Sequence, residues 1–392
     1  MASPKLPLLA SAACAVIGLA ASAAMGCGDD APTGGPVDGG LDGARPVVDS
    51  AADASVVLKG ARVLGIAMPI GDLAFGQNVQ TASDGGARAT NVTLAWDEVE
   101  RPYDSGAPDA AEDAAAPTQL FNPSLHVADL VLSEYKTQAL IAVTALDVGG
   151  SRAPAELATR PLDDAELGAR YDKVTDYVLR GAPDLVVAAL FVGTEVDVPL
   201  GDDPAKHAAF AAFVGRAAAH AHAVRPGLKV GFTVTADGIE ARGPRLAAAW
   251  AASDVIGITY LPVDAAARAR SPLEVAADLD RIVAAAPPGK PIFVREAGFP
   301  TAAACGGDEA TQAAFVSALF GAWDRHAARI PLVILRELGD APPEAVTALA
   351  ARHGRSDAPF LAFLGSLGLR SADGRTKQGW EALIREARLR GF

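Results

Sequence analysis

The sequence has few cysteines, few aromatic residues and fewer basic than acidic residues, and each deficit argues against a class of protein. Only three of the 392 residues are cysteine. Two of them, Cys14 and Cys27, lie near the N terminus, so Cys305 has no partner for an intramolecular disulfide. Basic residues number 34 against 47 acidic ones, and the net charge of -13 argues against nucleic acid and polybasic membrane contacts. Aromatic residues make up 6% of the chain, with four tryptophans, so a long cleft that stacks a polysaccharide is not evident.

Several motifs of cofactor and nucleophile chemistry are also missing. The turn at residues 70–73 (IGDL) is not a Gly-rich phosphate loop, and no Gly-x-Ser-x-Gly nucleophile elbow occurs. Cys305 lies in the turn AACGGDE without a nearby histidine to activate it, and His220 and His222 lack the i, i+4 spacing of a helical zinc site. We therefore expect neither a cofactor nor a metal, and carboxylates remain as the source of chemistry.

The N terminus has the pattern of a targeting segment. Lys5 precedes an apolar stretch from Leu6 to Ala24, and the small residues of AMGC lead to Cys27. Residues 1–26 resemble a bacterial lipoprotein signal, which implies lipid attachment at Cys27 and a location in the cell envelope, with the outer membrane or cell surface favoured over the inner membrane. An ordinary secretory signal cut near Ala24 is the alternative. No later apolar run is long enough to span a bilayer.

Composition divides the rest of the chain into a tether and a domain. Residues 27–56 are rich in Gly, Asp, Pro and Ala, lack periodicity, and predict a flexible acidic tether. Residues 57–392 alternate short apolar runs with amphipathic segments. Residues 103–117 have a composition similar to that of the tether and interrupt the second strand-to-helix connection. They predict a disordered insertion or a flap over the site.

Eight apolar runs set the predicted fold. The runs are Val63–Pro69, Ala89–Trp96, Ala139–Asp147, Leu185–Glu195, Leu228–Thr235, Asp254–Leu261, Pro291–Glu296 and Pro331–Glu337. Helical patterns separate them, as at residues 163–180 and in the helix that Asp203 and Pro204 open. Eight strands alternating with helices predict an α/β protein with a single (β/α)8 TIM barrel domain, and an open doubly wound sheet is the alternative.

Two glutamates end two of these runs. Glu195 follows DLVVAALFVGT, the predicted fourth strand, and Glu296 follows PIFVR, the predicted seventh. The carboxyl ends of barrel strands form the active-site face, so both carboxylates are expected there. Inward-facing glutamates on these strands could approach to about 5 Å, the separation found in retaining glycosidases. Arg295 precedes Glu296 directly, and strand alternation predicts that it points the opposite way.

The motifs around these residues resemble those of a known enzyme group. FVGTEVD at residues 191–197 is similar to the acid/base motif of clan A glycoside hydrolases, the retaining barrel enzymes that include endo-1,4-β-galactanases and endo-glucanases. VREAGFPT at residues 294–301 is similar to their nucleophile motif, and DVIGITYLP at residues 254–262 to their sixth strand. The resemblance implies Glu195 as general acid/base, Glu296 as nucleophile, and Tyr260 as a substrate-site residue that donates a hydrogen bond to Glu296.

Two positions depart from the pattern of that group. The residue before the acid/base is usually Asn, which binds the sugar 2-hydroxyl, and here it is Thr194. The eighth strand usually ends near a tryptophan platform, whereas this one ends in Leu335, Arg336 and Glu337. These departures predict slowed, redirected or lost catalysis.

Other polar or aromatic residues at predicted strand ends are weaker candidates. Trp96 and Glu337 could contact substrate, and Asp147 and Asp237 could either face the cleft or cap loops. The sequence therefore predicts a monomeric, lipid-anchored retaining glycoside hydrolase that acts on a β-linked oligosaccharide or polysaccharide. A non-catalytic glycan-binding barrel and a solute-binding lipoprotein of a transporter are the rival interpretations.

Overall fold

The computed structural model describes residues 57–71, 73–102 and 118–392. The predicted signal, the tether with Cys27, and the predicted insertion at residues 103–117 lie outside these described residues. The described residues belong to one compact unit, Ala54–Phe392. None of the helices in this part of the chain is long and apolar enough to cross a membrane.

Eight parallel strands close into a barrel in which each strand pairs with its sequence neighbours and β1 also pairs with β8. The strands are β1 (Val63–Ile66), β2 (Ala89–Ala95), β3 (Gln138–Thr144), β4 (Val187–Phe191), β5 (Val230–Thr235), β6 (Val255–Tyr260), β7 (Ile292–Ala297) and β8 (Leu332–Leu335). The predicted (β/α)8 barrel is thus confirmed, with one barrel strand at each apolar run to within a few residues. The open doubly wound alternative is wrong because the sheet has no free edge.

Helices surround this barrel. They are α1 (Phe75–Asp84), α2 (Trp96–Val99), α3 (Pro123–Glu134), α4 (Ala165–Gly181), α5 (Asp197–Leu200), α6 (Pro204–Val224), α7 (Ala236–Ala251), α8 (Val275–Ala285), α9 (Glu309–Arg325), α10 (Pro343–Arg352), α11 (Ala358–Leu364) and α12 (Gln378–Arg390), with short 3₁₀ turns at Pro272–Glu274 and Ala303–Cys305. Asp203 caps α6 by accepting from the backbone N–H of Ala205 at 2.9 Å, and Pro204 occupies its first turn. The predicted start of this helix is confirmed.

Small residues allow the barrel interior to pack around a few large side chains. The interior cluster comprises Ala89, Leu140, Ala142, Ala189, Phe191, Val255, Phe293, Leu332 and Ile334. A Cβ atom on Gly257 would lie 2.6 Å from Thr233 Oγ1 and 2.7 Å from Phe191 Cε1, so only glycine fits beside that ring. Since Val255 and Gly257 face the interior, alternation places Thr259 on the same side and Tyr260 on the outer side.

Two short hairpins extend the carboxyl ends of β2 and β3. Glu100–Pro102 pairs with Thr118–Leu120, and Leu146–Asp147 pairs with Gly150–Ser151, both antiparallel. They therefore lie on the face of the barrel where enzymes of this fold place their sites.

Candidate active site

Glu195 lies in a strained loop beyond the end of β4. The strand ends at Phe191, four residues earlier than the apolar run suggested, and Glu195 has a φ of +50°, a left-handed conformation unusual for a residue with a side chain. Backbone hydrogen bonds fix the loop on both sides, from Thr194 N to Leu146 O at 3.0 Å and from Val196 N to Thr233 O at 3.1 Å. Strain that neighbouring strands hold in place is typical of functional residues.

The surroundings of Glu195 favour its protonated form. Its pKa is raised to about 7, chiefly by burial and also by the nearby carboxylates of Glu296 and Asp197, whereas Arg336 and a hydrogen bond from Thr259 act in the opposite direction. A carboxylic acid that titrates near neutrality can donate a proton at physiological pH and accept one later in a reaction.

A bulge in β7 turns two consecutive side chains toward the interior. Val294 pairs with Ile258 of β6, but Thr259 pairs with Glu296, so Arg295 is the extra residue; the register with β8 also shifts here. The prediction that Arg295 points away is therefore wrong. Its side chain lies inside the barrel and is 1% exposed.

Arg295 forms a buried polar layer beneath the carboxylates. Its Nε donates to Asn91 Oδ1 at 3.2 Å and its Nη2 to Thr93 Oγ1 at 3.0 Å, while the guanidinium lies 5.1 Å from the centre of the Phe191 ring. Burial lowers the pKa of this arginine, and the negative charges of Glu296 and Glu195 oppose that effect. The charge pairing keeps a cation inside the barrel where desolvation alone would disfavour it.

Arg336 contacts Glu296 from the end of β8. Its Nη1 forms an ion pair with Glu296 Oε2, and its backbone N–H donates to Ala297 O at 2.8 Å. Although burial acts in the opposite direction, Glu296, Glu337 and Glu195 raise the pKa of Arg336. The guanidinium thus lies among three carboxyl groups and is ion-paired with Glu296.

Glu337 is the third of these carboxyl groups. Its pKa is raised to about 7, chiefly by burial and also by Glu296 and Asp340, whereas Arg336 acts in the opposite direction. Its Oε2 atom is buried and has no hydrogen-bond partner among the described residues. With Glu296 and Arg336 it lines a cavity of about 300 Å³ at the carboxyl-terminal face, and its contact with a substrate stays a prediction.

No aromatic side chain lines the described part of this cavity. The remaining lining residues are Ala67, Met68, Pro69, Ile70, Asn91, Thr93, Leu94, Glu98, Asn122 and Ser124. Met68, Pro69 and Glu337 also line a second cavity of about 800 Å³, which extends toward Arg370 and Asp373. A ligand here would be held by hydrogen bonds and charge rather than by stacking.

Tyr260 lies outside this site, which corrects its expected contact with Glu296. It falls on the outer face of β6, is 2% exposed, and donates from its hydroxyl to Asp278 Oδ2 at 2.8 Å. Thr259, which the sequence reasoning missed, occupies the interior position and donates to Glu195. The small residue Gly257 was the available signal, because it marks the side of the strand that faces the crowded interior.

Trp96 is a core residue, contrary to the expectation that it could contact substrate. It is fully buried, packs edge-on against Tyr171 with ring centroids 5.2 Å apart, and donates from Nε1 to Glu100 Oε2 at 2.8 Å. Glu100 in turn pairs with Arg170. Trp96, the first residue of α2, therefore packs in the core and does not line the cavity.

The other candidates lie at the rim. Asp147 accepts from Arg152 Nη1 at 3.2 Å and from the backbone N–H of Gly149 at 2.8 Å, which is a loop-capping role. Asp237 is exposed in the first turn of α7. Thr194 is partly exposed directly before Glu195, so its contact with a sugar stays a prediction.

Comparisons with known proteins find similarity in structure only. No protein-family model matches the sequence, and no curated protein matches it. Solved structures do match. One is an exo-β-1,4-mannosidase from Opitutaceae bacterium strain TAV5, with a TM-score of 0.58 and 16% identity, and the match covers 84% of this chain and 59% of that one. This chain thus spans about three fifths of that enzyme's length.

Two further matches are glycoside hydrolases of families 5 and 39. A GH5_18 protein from Bifidobacterium longum, solved with Manβ1-4GlcNAc, has a TM-score of 0.62 and 16% identity over 84% of this chain and 78% of its own. A family 39 enzyme from Bacteroides cellulosilyticus WH2 has a TM-score of 0.58 and 14% identity over 85% of this chain and 65% of its own. At these identities the similarity establishes a shared fold, and this chain therefore has the (β/α)8 barrel found in these glycoside hydrolases.

Proposed function

We propose that this protein is a retaining glycoside hydrolase that cleaves β-linked glycans. The observation that carries the proposal is the electrostatic asymmetry of two neighbouring glutamates. Glu195 has a pKa near 7, whereas Glu296 is ion-paired with Arg336. An acid and an ionised nucleophile at the ends of two barrel strands are the two groups that a retaining mechanism needs.

The proposed reaction has two steps. In the first, Glu195 protonates the glycosidic oxygen while Glu296 attacks the anomeric carbon, so the aglycone leaves and a covalent glycosyl ester forms on Glu296. In the second, the deprotonated Glu195 takes a proton from water, which displaces Glu296 and regenerates both groups. Two inversions at the anomeric carbon retain its configuration.

The choice of a β-linked glycan is supported by the similar structures and by the sequence motifs. The mannosidase named above acts on β-1,4-mannosides, and the GH5_18 protein was solved with a β1-4-linked disaccharide. The resemblance of residues 191–197 and 294–301 to clan A motifs points the same way. Lipid attachment at Cys27, with residues 27–56 as a tether, completes the proposal and would put the barrel in the cell envelope.

A second candidate function is a glycan-binding barrel without catalysis. The contact between Arg336 and Glu296 favours it, because a guanidinium paired with Oε2 makes the carboxylate a weaker nucleophile. The two candidates differ in product release. Reducing-sugar assays on a panel of β-linked glycans decide between them, with residues 57–392 and its Glu195→Ala variant measured in parallel. Release of sugar that the variant abolishes supports the hydrolase. Binding of a glycan without release supports the non-catalytic barrel.

A further inference from the structure

We propose that Arg336 makes this site selective for glycans whose sugar at the cleavage point carries a carboxylate, as a β-linked uronic acid does. This inference rests on the proposed hydrolase function and names the substrate class of the same site.

The guanidinium of Arg336 has unused hydrogen-bonding capacity. Its Nη1 contacts Glu296 and its Nη2 makes no hydrogen bond among the described residues, while its Nε, which also lacks an acceptor, is buried. The side chain is 14% exposed and lines the cavity, so a ligand can reach it. A carboxylate binds a guanidinium through two parallel hydrogen bonds, which a neutral sugar hydroxymethyl group cannot form.

A substrate carboxylate would also free the nucleophile. Glu296 Oε2 is held by Arg336, so attack through this oxygen requires the ion pair to open. A neutral sugar offers the guanidinium only weaker, uncharged acceptors in exchange. A uronate offers a carboxylate, so the cation exchanges one charged partner for another and Glu296 is released where the substrate binds.

The charge balance of the site suits a monoanionic sugar. Burial raises the pKa of Glu195 and of Glu337 and so favours their neutral forms, which would not repel a substrate carboxylate beside Arg336. Glu98, the other acidic residue of the cavity lining besides Glu296 and Glu337, is paired with Arg152 at 2.8 Å. At higher pH Glu337 ionises, competes for Arg336, and would repel the substrate carboxylate.

The cavity also lacks the features that would hold a neutral sugar. No aromatic ring lines its described part, so a pyranose face has no stacking platform. Asn91, Thr93, Glu337 and the Arg336 guanidinium supply polar contacts instead. The recognition elements are therefore charged and hydrogen-bonding at the position where the seventh and eighth strands end.

The experiment compares substrates that differ only at C6. The substrates are p-nitrophenyl β-glycosides and β-1,4-linked tetrasaccharides of glucose, galactose and mannose, and each is paired with the corresponding uronide. The kcat/KM for each substrate is measured at pH 6 for the wild type and for Arg336→Gln. Arg355→Gln is the matched control, because Arg355 pairs with Asp357 on the surface at 2.8 Å. Binding of the same tetrasaccharides to the Glu195→Gln variant is measured by calorimetry.

The wild type is expected to favour one uronide over its neutral partner by at least tenfold. Arg336→Gln should reduce that ratio at least tenfold, mainly through loss on the uronide, and Arg355→Gln should leave it unchanged. If Arg336→Gln does not fold, preferential binding of the uronic tetrasaccharide by Glu195→Gln supports the same conclusion.

The remaining outcomes separate this inference from the proposed function. Hydrolysis of neutral glycosides at a rate equal to or above that of the uronides overturns the inference and leaves the hydrolase standing. Uronide binding that depends on Arg336, without any hydrolysis, supports the specificity and overturns the hydrolase. Neither binding nor hydrolysis of any pair overturns both.

Discussion

Thr259 joins the two glutamates of the site, because its hydroxyl donates a hydrogen bond to Glu195 and its backbone pairs in register with Glu296 on the adjacent strand. This single residue therefore relates the loop after β4 to the bulge of β7. Its hydrogen bond lowers the pKa of Glu195 and opposes the stronger effect of burial.

Replacing Thr259 with Val should raise the pKa of Glu195, since the hydrogen bond to the carboxylate is lost. The alkaline limb of the pH–activity profile would then move to higher pH, by roughly half a unit to one unit if the bond contributes about 1 kcal/mol. Measuring kcat/KM between pH 5 and 9 for both proteins checks this. An unshifted limb would show that Thr259 does not act on the titrating acid.

The pH dependence of stability should carry the signature of Glu195. Its pKa in the folded protein, about 7, is higher than the ordinary glutamate value of 4.5, so folding favours the protonated form. The associated stability is fully present below about pH 4.5 and is lost as pH rises through 7; the loss is on the order of a few kcal/mol. Glu195→Gln, which cannot ionise, should therefore lose less stability than wild type between pH 5 and pH 8.

Thermal unfolding at both pH values measures this difference. Glu134→Gln, an exposed substitution at the end of α3, serves as control and should follow the wild type. Parallel curves for wild type and Glu195→Gln would mean that Glu195 is not desolvated in the folded state.

Arg295 should be important for stability as well as for the site. Arg295→Met would leave Asn91 Oδ1 and Thr93 Oγ1 without their donor inside the barrel and would remove a buried cation from between the carboxylates, at a cost of roughly 3 kcal/mol. The matched control is Arg355→Met, whose surface ion pair should contribute less than about 1 kcal/mol. Chemical denaturation of the three proteins gives the two values, and equal losses would contradict the interior placement of Arg295.

Tyr260→Phe tests the correction to that residue's position. The variant loses the hydrogen bond to Asp278, which still has Arg270 and Arg281 as partners, so we expect a stability loss of about 1 kcal/mol and an unchanged pH–activity profile. A shifted profile would instead indicate that the hydroxyl acts on Glu296.

Much of the architecture could be predicted from the sequence because strand and helix periods are local properties. Eight apolar runs gave eight strands, and Asp203 with Pro204 marked the start of α6. The two glutamates were found because a carboxylate that interrupts an apolar run at a strand end is conspicuous.

The errors concern side-chain direction, which depends on register. Tyr260 differs from Thr259 by one position, and a one-residue change moves a side chain from the interior to the outer face. The bulge that turns both Arg295 and Glu296 inward arises from pairing with β6 and β8, and nothing in the sequence of β7 alone reveals it. Arg336 could be recognised as a departure from the related motifs, but its ion pair with Glu296 required the structure.

The central claim is that Glu296 attacks the anomeric carbon, and covalent trapping tests it most directly. The protein is incubated with activated 2-deoxy-2-fluoro β-glycosides, both neutral and uronic, and digested for peptide mass spectrometry. The account predicts one fluoroglycosyl group per chain, attached to Glu296, and no labelling of the Glu296→Gln variant. Attachment to another residue, or turnover of β-glycosides that continues unchanged in Glu296→Gln, would contradict it.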